Sequence, residues 1–263
     1  MRCALTIAGS DPGGGAGIQA DLKTFAAYRL YGASVITAVT AQNTLGVQGS
    51  YPLPPEVVEA QLSVLLEDLH PAVIKIGMLG SAGIVRTVSR LLDRCPEIPV
   101  VLDPVMLSTS GHPLLDGEGI TFMKQKLFPR AAVITPNLPE AQALTGLPLP
   151  DLHAAEQAAG KLYTAYGCGV LIKGGHSTGA PVDVLYDGSL HRFPGRRIPG
   201  RDVHGTGCTL SSAIAAGLAR GQTLPEAVQA AKAYLSCAME HAFPVGGGAP
   251  VLDHFLWNKQ PGR

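Results

Sequence analysis

The feature that most constrains this chain is an alternation. Short runs of apolar, often β-branched residues are followed by longer stretches with helical spacing. Cys3–Ala8, Ser34–Ala41, Val73–Ile76, Val100–Asp103, Ala132–Thr135 and Val170–Lys173 read as strands. Several are apolar at nearly every position, as strands are when helices cover both faces of a parallel sheet. Within Pro55–Leu69, the residues Val57, Val58, Leu62, Leu65, Leu66 and Leu69 keep a helical period. Pro225–Ala242 carries proline in its first turn and sets Val228, Ala231, Leu235, Ala238 and Met239 along one side. This order predicts an α/β fold, a mostly parallel sheet sandwiched between helices. Val182–Tyr186 and Leu190–Phe193, joined by Asp187-Gly188-Ser189, read instead as a small hairpin at the sheet edge. The 263 residues show no repeat, charge run or long linker, so a single domain over 1–263 is expected.

Charge narrows the partners. Lys plus Arg and Asp plus Glu each number 20, giving zero formal net charge. No basic field exists for nucleic acid or an anionic membrane, and neither is expected as a partner. A hydrophobic content of 46% argues against disorder. The apolar run at Cys3–Ala8 is too short for a secretory core or a membrane span. Cys3, Cys95, Cys168, Cys208 and Cys237 are odd in number, widely spread and without zinc spacing. The expectation is a cytoplasmic protein with reduced thiols and no structural metal.

In sheets of this kind ligands bind beyond the carboxyl ends of the strands. The first such loop is Gly9-Ser10-Asp11-Pro12-Gly13-Gly14-Gly15-Ala16-Gly17. Gly15–Ala20 matches the dinucleotide pattern G-x-G-x-x-A. That pattern also wants an acid about 20 residues on, and none occurs between Asp21 and Glu56. A tight turn, or a loop closing over a small ligand, fits better. A P-loop is excluded, since no Gly-Lys-Ser or Gly-Lys-Thr occurs.

The second loop is His204-Gly205-Thr206-Gly207-Cys208-Thr209, directly before an alanine-rich helix. Glycines there expose consecutive N–H groups at the helix's positive end, which suits a phosphate, although a plain N-cap is the alternative. Cys208 in the first turn is expected to have a depressed thiol pKa, or else to act as a small buried hydrophobe. A third group lies at successive strand ends: Asp103, then Asn137 with Glu140, then Lys173. An acid, an amide with a second acid, and a lysine could hold Mg²⁺ and a triphosphate. Taken singly, each reads more readily as a helix cap or a surface residue.

These motifs, in order, carry a family likeness. Ala8-Gly9-Ser10-Asp11, Gly14–Thr24, Ala38–Thr44, Lys75-Ile76-Gly77-Met78-Leu79 and Leu102-Asp103-Pro104-Val105-Met106 are joined by Thr135–Ala141, Lys173-Gly174-Gly175-His176, Asp183–Gly188 and His204–Thr209. The chain resembles the hydroxymethylpyrimidine/phosphomethylpyrimidine kinases of thiamine biosynthesis, within the ribokinase-like superfamily. The resemblance implies a three-layer αβα sandwich with a central, mostly parallel sheet. It implies ATP and Mg²⁺ as cosubstrate and cofactor, two successive phosphorylations of a hydroxymethylpyrimidine, and a homodimer.

By the same resemblance, Asp21 and Gln42 would hydrogen-bond the aminopyrimidine, with Met78, Val105 and Gly9 beside it. Asp103 and Glu140 look like the Mg²⁺ group. Asn137, His204 and Thr206 would meet the nucleotide, with Lys173 as countercharge. Gly205, Thr206, Gly207 and Cys208 resemble the family's anion hole, with Cys208 where sugar kinases of the superfamily carry an aspartate base. Val203 and Pro12-Gly13 depart from the subgroup's usual threonine and serine-rich stretch. Rival readings are a pyridoxal or pyridoxine kinase of the same superfamily, a non-catalytic pyrimidine-binding relative, and a dinucleotide oxidoreductase.

Overall fold

The computed structural model describes residues 1–106, 114–176, 180–198 and 203–255. Its sheet has nine strands: β1 (Cys3–Ser10), β2 (Tyr31–Asn43), β3 (Gly46–Pro52), β4 (Val73–Ile76), β5 (Val100–Leu102), β6 (Val133–Ile134), β7 (Gly169–Ile172), β8 (Val182–Tyr186) and β9 (Leu190–Pro194). They lie in the order β3-β2-β1-β4-β5-β6-β7-β8-β9. The run from β2 to β7 is parallel, and β3, β8 and β9 add antiparallel edges.

Alternation along each central strand creates two apolar layers. Leu5, Ile74, Leu102, Ile134 and Ile172 belong to one core, with residues of α2 (Pro55–Asp68), α3 (Ala82–Leu92), α5 (Leu138–Thr145) and α6 (Leu152–Tyr166). A shorter helix, α4 (Gly117–Phe122), precedes α5. Ala4, Val73, Val101, Val133 and Leu171 belong to the other core, with α1 (Gly17–Ala27), α7 (Thr206–Ala219) and α8 (Leu224–Glu240). This is the expected three-layer αβα sandwich with its edge hairpin at β8 and β9.

Two details differ from the sequence reading. The strand β3 was not expected, because Gly46, Gly49 and Pro52 are poor strand formers and none of its residues is buried. It forms by pairing with an unusually long β2, making a two-stranded arm. Val57 is 41% exposed although Val58 is fully buried, since adjacent positions on α2 point about 100° apart.

The chain leaves β1 for β2 on one side and returns to β4 on the other. That reversal opens a crevice at the carboxyl ends of β1 and β4, where ligands bind in such sheets. Near the end of the chain, residues 243–251 fasten across the arm's turn. Ala249 N–H donates to the Thr44 carbonyl at 3.0 Å, and Gly248 N–H to Thr44 Oγ1 at 3.2 Å. Val251 meanwhile bridges to His204.

Candidate active site

The glycine loop after β1 is shaped by Asp11, which is 4% exposed. Its Oδ1 accepts Gly13 N–H at 2.8 Å, and its Oδ2 accepts Gly15 and Ala16 N–H at 3.0 and 2.8 Å. Burial pushes this carboxyl up, but the His204 imidazole and the N–H groups of Ala16 and Gly13 outweigh it, leaving it below the usual range. Asp11 was not picked out from sequence; an acid followed at once by Pro-Gly-Gly-Gly is the local sign of such a brace.

The loop His204–Gly207 packs directly on that first loop. Gly205 caps α7 with φ +83°, and no side chain caps the helix there. The N–H groups of the first turn, at Thr206, Gly207 and Cys208, therefore lack a side-chain acceptor from the N-cap. They form the positive end expected for an anion. A β-carbon on Gly207 would stand 3.5 Å from both Asp103 Oδ2 and Lys173 Nζ, so this helix end overlies that pair.

Lys173 donates to Asp103 Oδ1 at 2.7 Å, with side chains 14% and 3% exposed. Thr135 Oγ1 donates to the same Oδ1 at 3.1 Å. Burial opposes the charge of Lys173, but Asp103 and Glu140 together raise its pKa, so it stays an ammonium. Asn137 and Glu140 form a reciprocal capping box at the start of α5, both bonds 2.8 Å long. The cap reading thus holds for these two, yet Glu140 is also 8% exposed and interacts electrostatically with Lys173 and Asp103. Burial pushes its carboxyl up to about 7, with Asp103 adding and Lys173 opposing.

On the β1–β2 side, the Met78 sulfur lies 3.1 Å from where a β-carbon on Gly9 would be. Gln42 Nε2 is 2.7 Å from His204 Nε2, and Thr40 Oγ1 donates to Gln42 Oε1 at 3.2 Å. His204 Nε2 also stands 3.6 Å from Asp11 Oδ2. The ring of His204 therefore engages Gln42 and Asp11. Val105 is half-buried just past Asp103, its N–H donating back to the Asp103 carbonyl at 2.8 Å.

Asp21 lies deeper than the other expected site residues, and the expectation for the Cys208 thiol is corrected. Asp21, expected on the pyrimidine, is fully buried and its oxygens are taken. Thr6 Oγ1 and Ser212 Oγ donate to it at 2.6 Å, and Lys75 Nζ lies 2.9 and 3.0 Å away. It lies beneath the site in a buried network with Thr6, Ser212 and Lys75. Cys208, expected to have a depressed pKa, has a raised one. Burial is the main cause, and Asp21 and Asp103 add to it against Lys75 and the Gly17 N–H. The helix end is outweighed by desolvation and carboxylates.

Lys75 was also not picked out as a site residue. A lysine inside the apolar strand Val73–Ile76 signals a buried carboxylate partner, because an unpaired ammonium there is prohibitive. Burial opposes its charge, but Asp21 outweighs it and holds the pKa above the usual range. Gly77 makes the room, since a β-carbon there would lie 2.8 Å from Lys75 Nζ.

The arrangement has two ends. One carries uncapped helical N–H groups, an ammonium and two carboxylates, which suits phosphate with a hard cation. The other carries an amide, an imidazole and a thioether beside a glycine, which suits a small polar ring.

A family model described as phosphomethylpyrimidine kinase matches residues 11–253. A hydroxymethylpyrimidine/phosphomethylpyrimidine kinase of Streptomyces coelicolor is 48% identical over 251 residues, covering 95% of this chain and 93% of the relative. The crystal structure of phosphomethylpyrimidine kinase from Clostridium difficile superposes with a TM-score of 0.80 at 40% identity, covering 90% of this chain and 98% of that one. Pyridoxal kinase from Staphylococcus aureus, in complex with AMP-PCP and pyridoxal, superposes with a TM-score of 0.90 at 34% identity, covering 98% and 95%.

Proposed function

Since the chain belongs to the phosphomethylpyrimidine kinase family, we propose that it uses ATP to phosphorylate 4-amino-5-hydroxymethyl-2-methylpyrimidine. A second transfer, to the resulting monophosphate, gives the pyrophosphate required in thiamine biosynthesis. The observation that carries this reading is the position of α7, whose uncapped N-terminus overlies the Lys173–Asp103 pair.

In this scheme Lys173 offsets phosphate charge, and the N–H groups of Thr206, Gly207 and Cys208 hold the group in flight. Phosphoryl transfer passes through a loose transition state, so alignment and charge stabilisation do most of the catalysis. Gln42 offers both a donor and an acceptor to the aminopyrimidine, with His204 and Thr40 orienting the amide. Gly9, Met78 and Val105 line the ring's faces. In its thiolate form Cys208 would accept the proton of the substrate hydroxyl. Its raised pKa makes that thiolate the minor form at neutral pH, so the proton passes to it late, as bonding to phosphorus advances. The second nucleophile is a phosphate oxygen whose second pKa is about 6, and it needs little base.

Asp103 and Glu140 fit a Mg²⁺ ion. They are oxygen donors close enough to interact electrostatically, and a cation between them would offset the burial and mutual repulsion that push Glu140 up. Among the described residues no three metal-ligating side chains cluster. Two carboxylates with substrate phosphates are the usual set for Mg²⁺. The ion would neutralise charge on the transferring phosphates.

Cytoplasmic location and a homodimer belong to the same proposal. Among the described residues no helix is long and apolar enough to cross a membrane. On the β2–β3 arm, Val39 and Tyr51 pair in register while 43% and 63% exposed, and Leu45 at the tip is 76% exposed. A second copy would cover that apolar surface. The likeness to pyridoxal kinases supports a second activity on pyridoxal, whose ring also bears a hydroxymethyl group. Phosphorus NMR of the reaction with ATP and the hydroxymethylpyrimidine tests the main reading. Successive monophosphate and pyrophosphate signals are expected. Phosphate transfer to pyridoxal alone would overturn it.

A further inference from the structure

Lys173 is a flexible side chain on which much depends, and its backbone is pinned from both sides. Its N–H donates to the Pro136 carbonyl at 2.9 Å, and it bridges in parallel to Asn137. On the other side, the N–H of Gly174 donates to Asp183 Oδ1 at 2.7 Å. The second oxygen of Asp183 accepts Lys232 Nζ, from α8, at 2.6 Å. The last register pair of β7 and β8 is Ile172 with Val184, so Asp183 comes opposite Lys173 just past the ladder. Gly174 is pressed so closely onto β8 that a β-carbon would lie 2.1 Å from the Val182 carbonyl oxygen.

The Asp183 and Lys232 side chains are only 10% and 11% exposed. Withdrawing such a pair from water is costly, and apolar residues of similar size could fill the same space. What an apolar pair could not do is accept the Gly174 N–H. That hydrogen bond fixes the peptide joining Lys173 to Gly174, and with it the direction in which the lysine leaves the backbone. A lysine is a point charge on a four-carbon stem, so its aim depends on its anchor.

We propose that Asp183, neutralised by Lys232, is a positioning residue that aims the Lys173 ammonium at Asp103 and the phosphates of ATP. The proposal rests on Lys173 being the phosphate countercharge.

The test is steady-state kinetics with ATP and the pyrimidine varied separately, with melting temperatures recorded for every variant. Asp183→Ala is expected to raise the KM for ATP at least about tenfold, because a displaced catalytic group is penalised steeply, while the KM for pyrimidine holds. The double variant Asp183→Asn/Lys232→Met removes both charges but keeps the acceptor for Gly174, and should stay near the parent KM for ATP. On a Lys173→Met background, Asp183→Ala should add nothing further. Full additivity there, or parallel rises in both KM values, would overturn the proposal. If Lys173→Met by itself leaves ATP kinetics unchanged, the countercharge reading fails instead, which the single variant reveals separately.

Discussion

A β-carbon on Gly205 would lie 1.8 Å from the carbonyl oxygen of Gly15. The two glycine loops, far apart in sequence, therefore touch backbone to backbone, and neither could keep its path with a side chain between them. Gly205 also holds φ +83°, which a residue with a β-carbon adopts only under strain. Gly205→Ala should cost about 1–3 kcal/mol in backbone strain alone, before the clash is counted. A lower melting temperature together with loss of both phosphorylations is expected. Unchanged melting would show that the loops can separate freely.

Lys75 and Asp21 bury a charge pair with no exposure on either side chain. Removing one partner strands the other, so Lys75→Met should destabilise the protein by about 3–5 kcal/mol in urea titrations. Adding Asp21→Asn to that variant should recover part of the loss. A double variant less stable than Lys75→Met would show that Thr6 and Ser212, not the lysine, dominate the anchoring of Asp21.

Cys208→Ala separates the two transfers. The alcohol step needs a proton acceptor and should slow far more than the phosphate step, whose nucleophile is already ionised. Assays supplied separately with the alcohol and the monophosphate make the comparison. Equal losses would assign Cys208 to the anion hole alone.

Glu140 sets a pH dependence. Its carboxyl is raised to about 7 in the fold, against an ordinary value near 4.5. Below the ordinary value it is neutral in both folded and unfolded chains. As pH climbs toward 7 the unfolded chain ionises first, so stability drains away, and above 7 the loss is complete. Glu140→Gln keeps an acceptor for the Asn137 N–H and removes the titration. Without metal it should melt near the parent at pH 4.5 and above it at pH 8. The reverse order would show that the buried carboxylate is stabilising when ionised.

Much of this was legible from the chain itself, and the divide follows the range of the interactions. Strand–helix alternation is local, so Val73–Ile76 and the hairpin at Val182–Tyr186 could be read from residue spacing. The glycine loops could be found singly, but their contact depends on tertiary packing. The strand Gly46–Pro52 has no buried face, so its pairing with β2 left no apolar pattern to read. For Asp21, motif likeness points at the ligand, and the lysine within the apolar strand Val73–Ile76 separately requires a buried carboxylate partner. Desolvation of Cys208 was invisible for the same reason, since burial belongs to the fold and not to the first turn of its helix.

The seam at residues 243–251 has a consequence for how the protein is made. Gln42 and His204 reach each other at 2.7 Å, but the segment securing them lies at Thr44 and Val251. Synthesis runs from the amino end. A chain still on the ribosome can lay down β1 to β9 and still lack the brace that closes the ring-binding end. Substrate grip is thus acquired only after every strand of the sheet has been made, once residues 243–251 can cross the turn at Thr44.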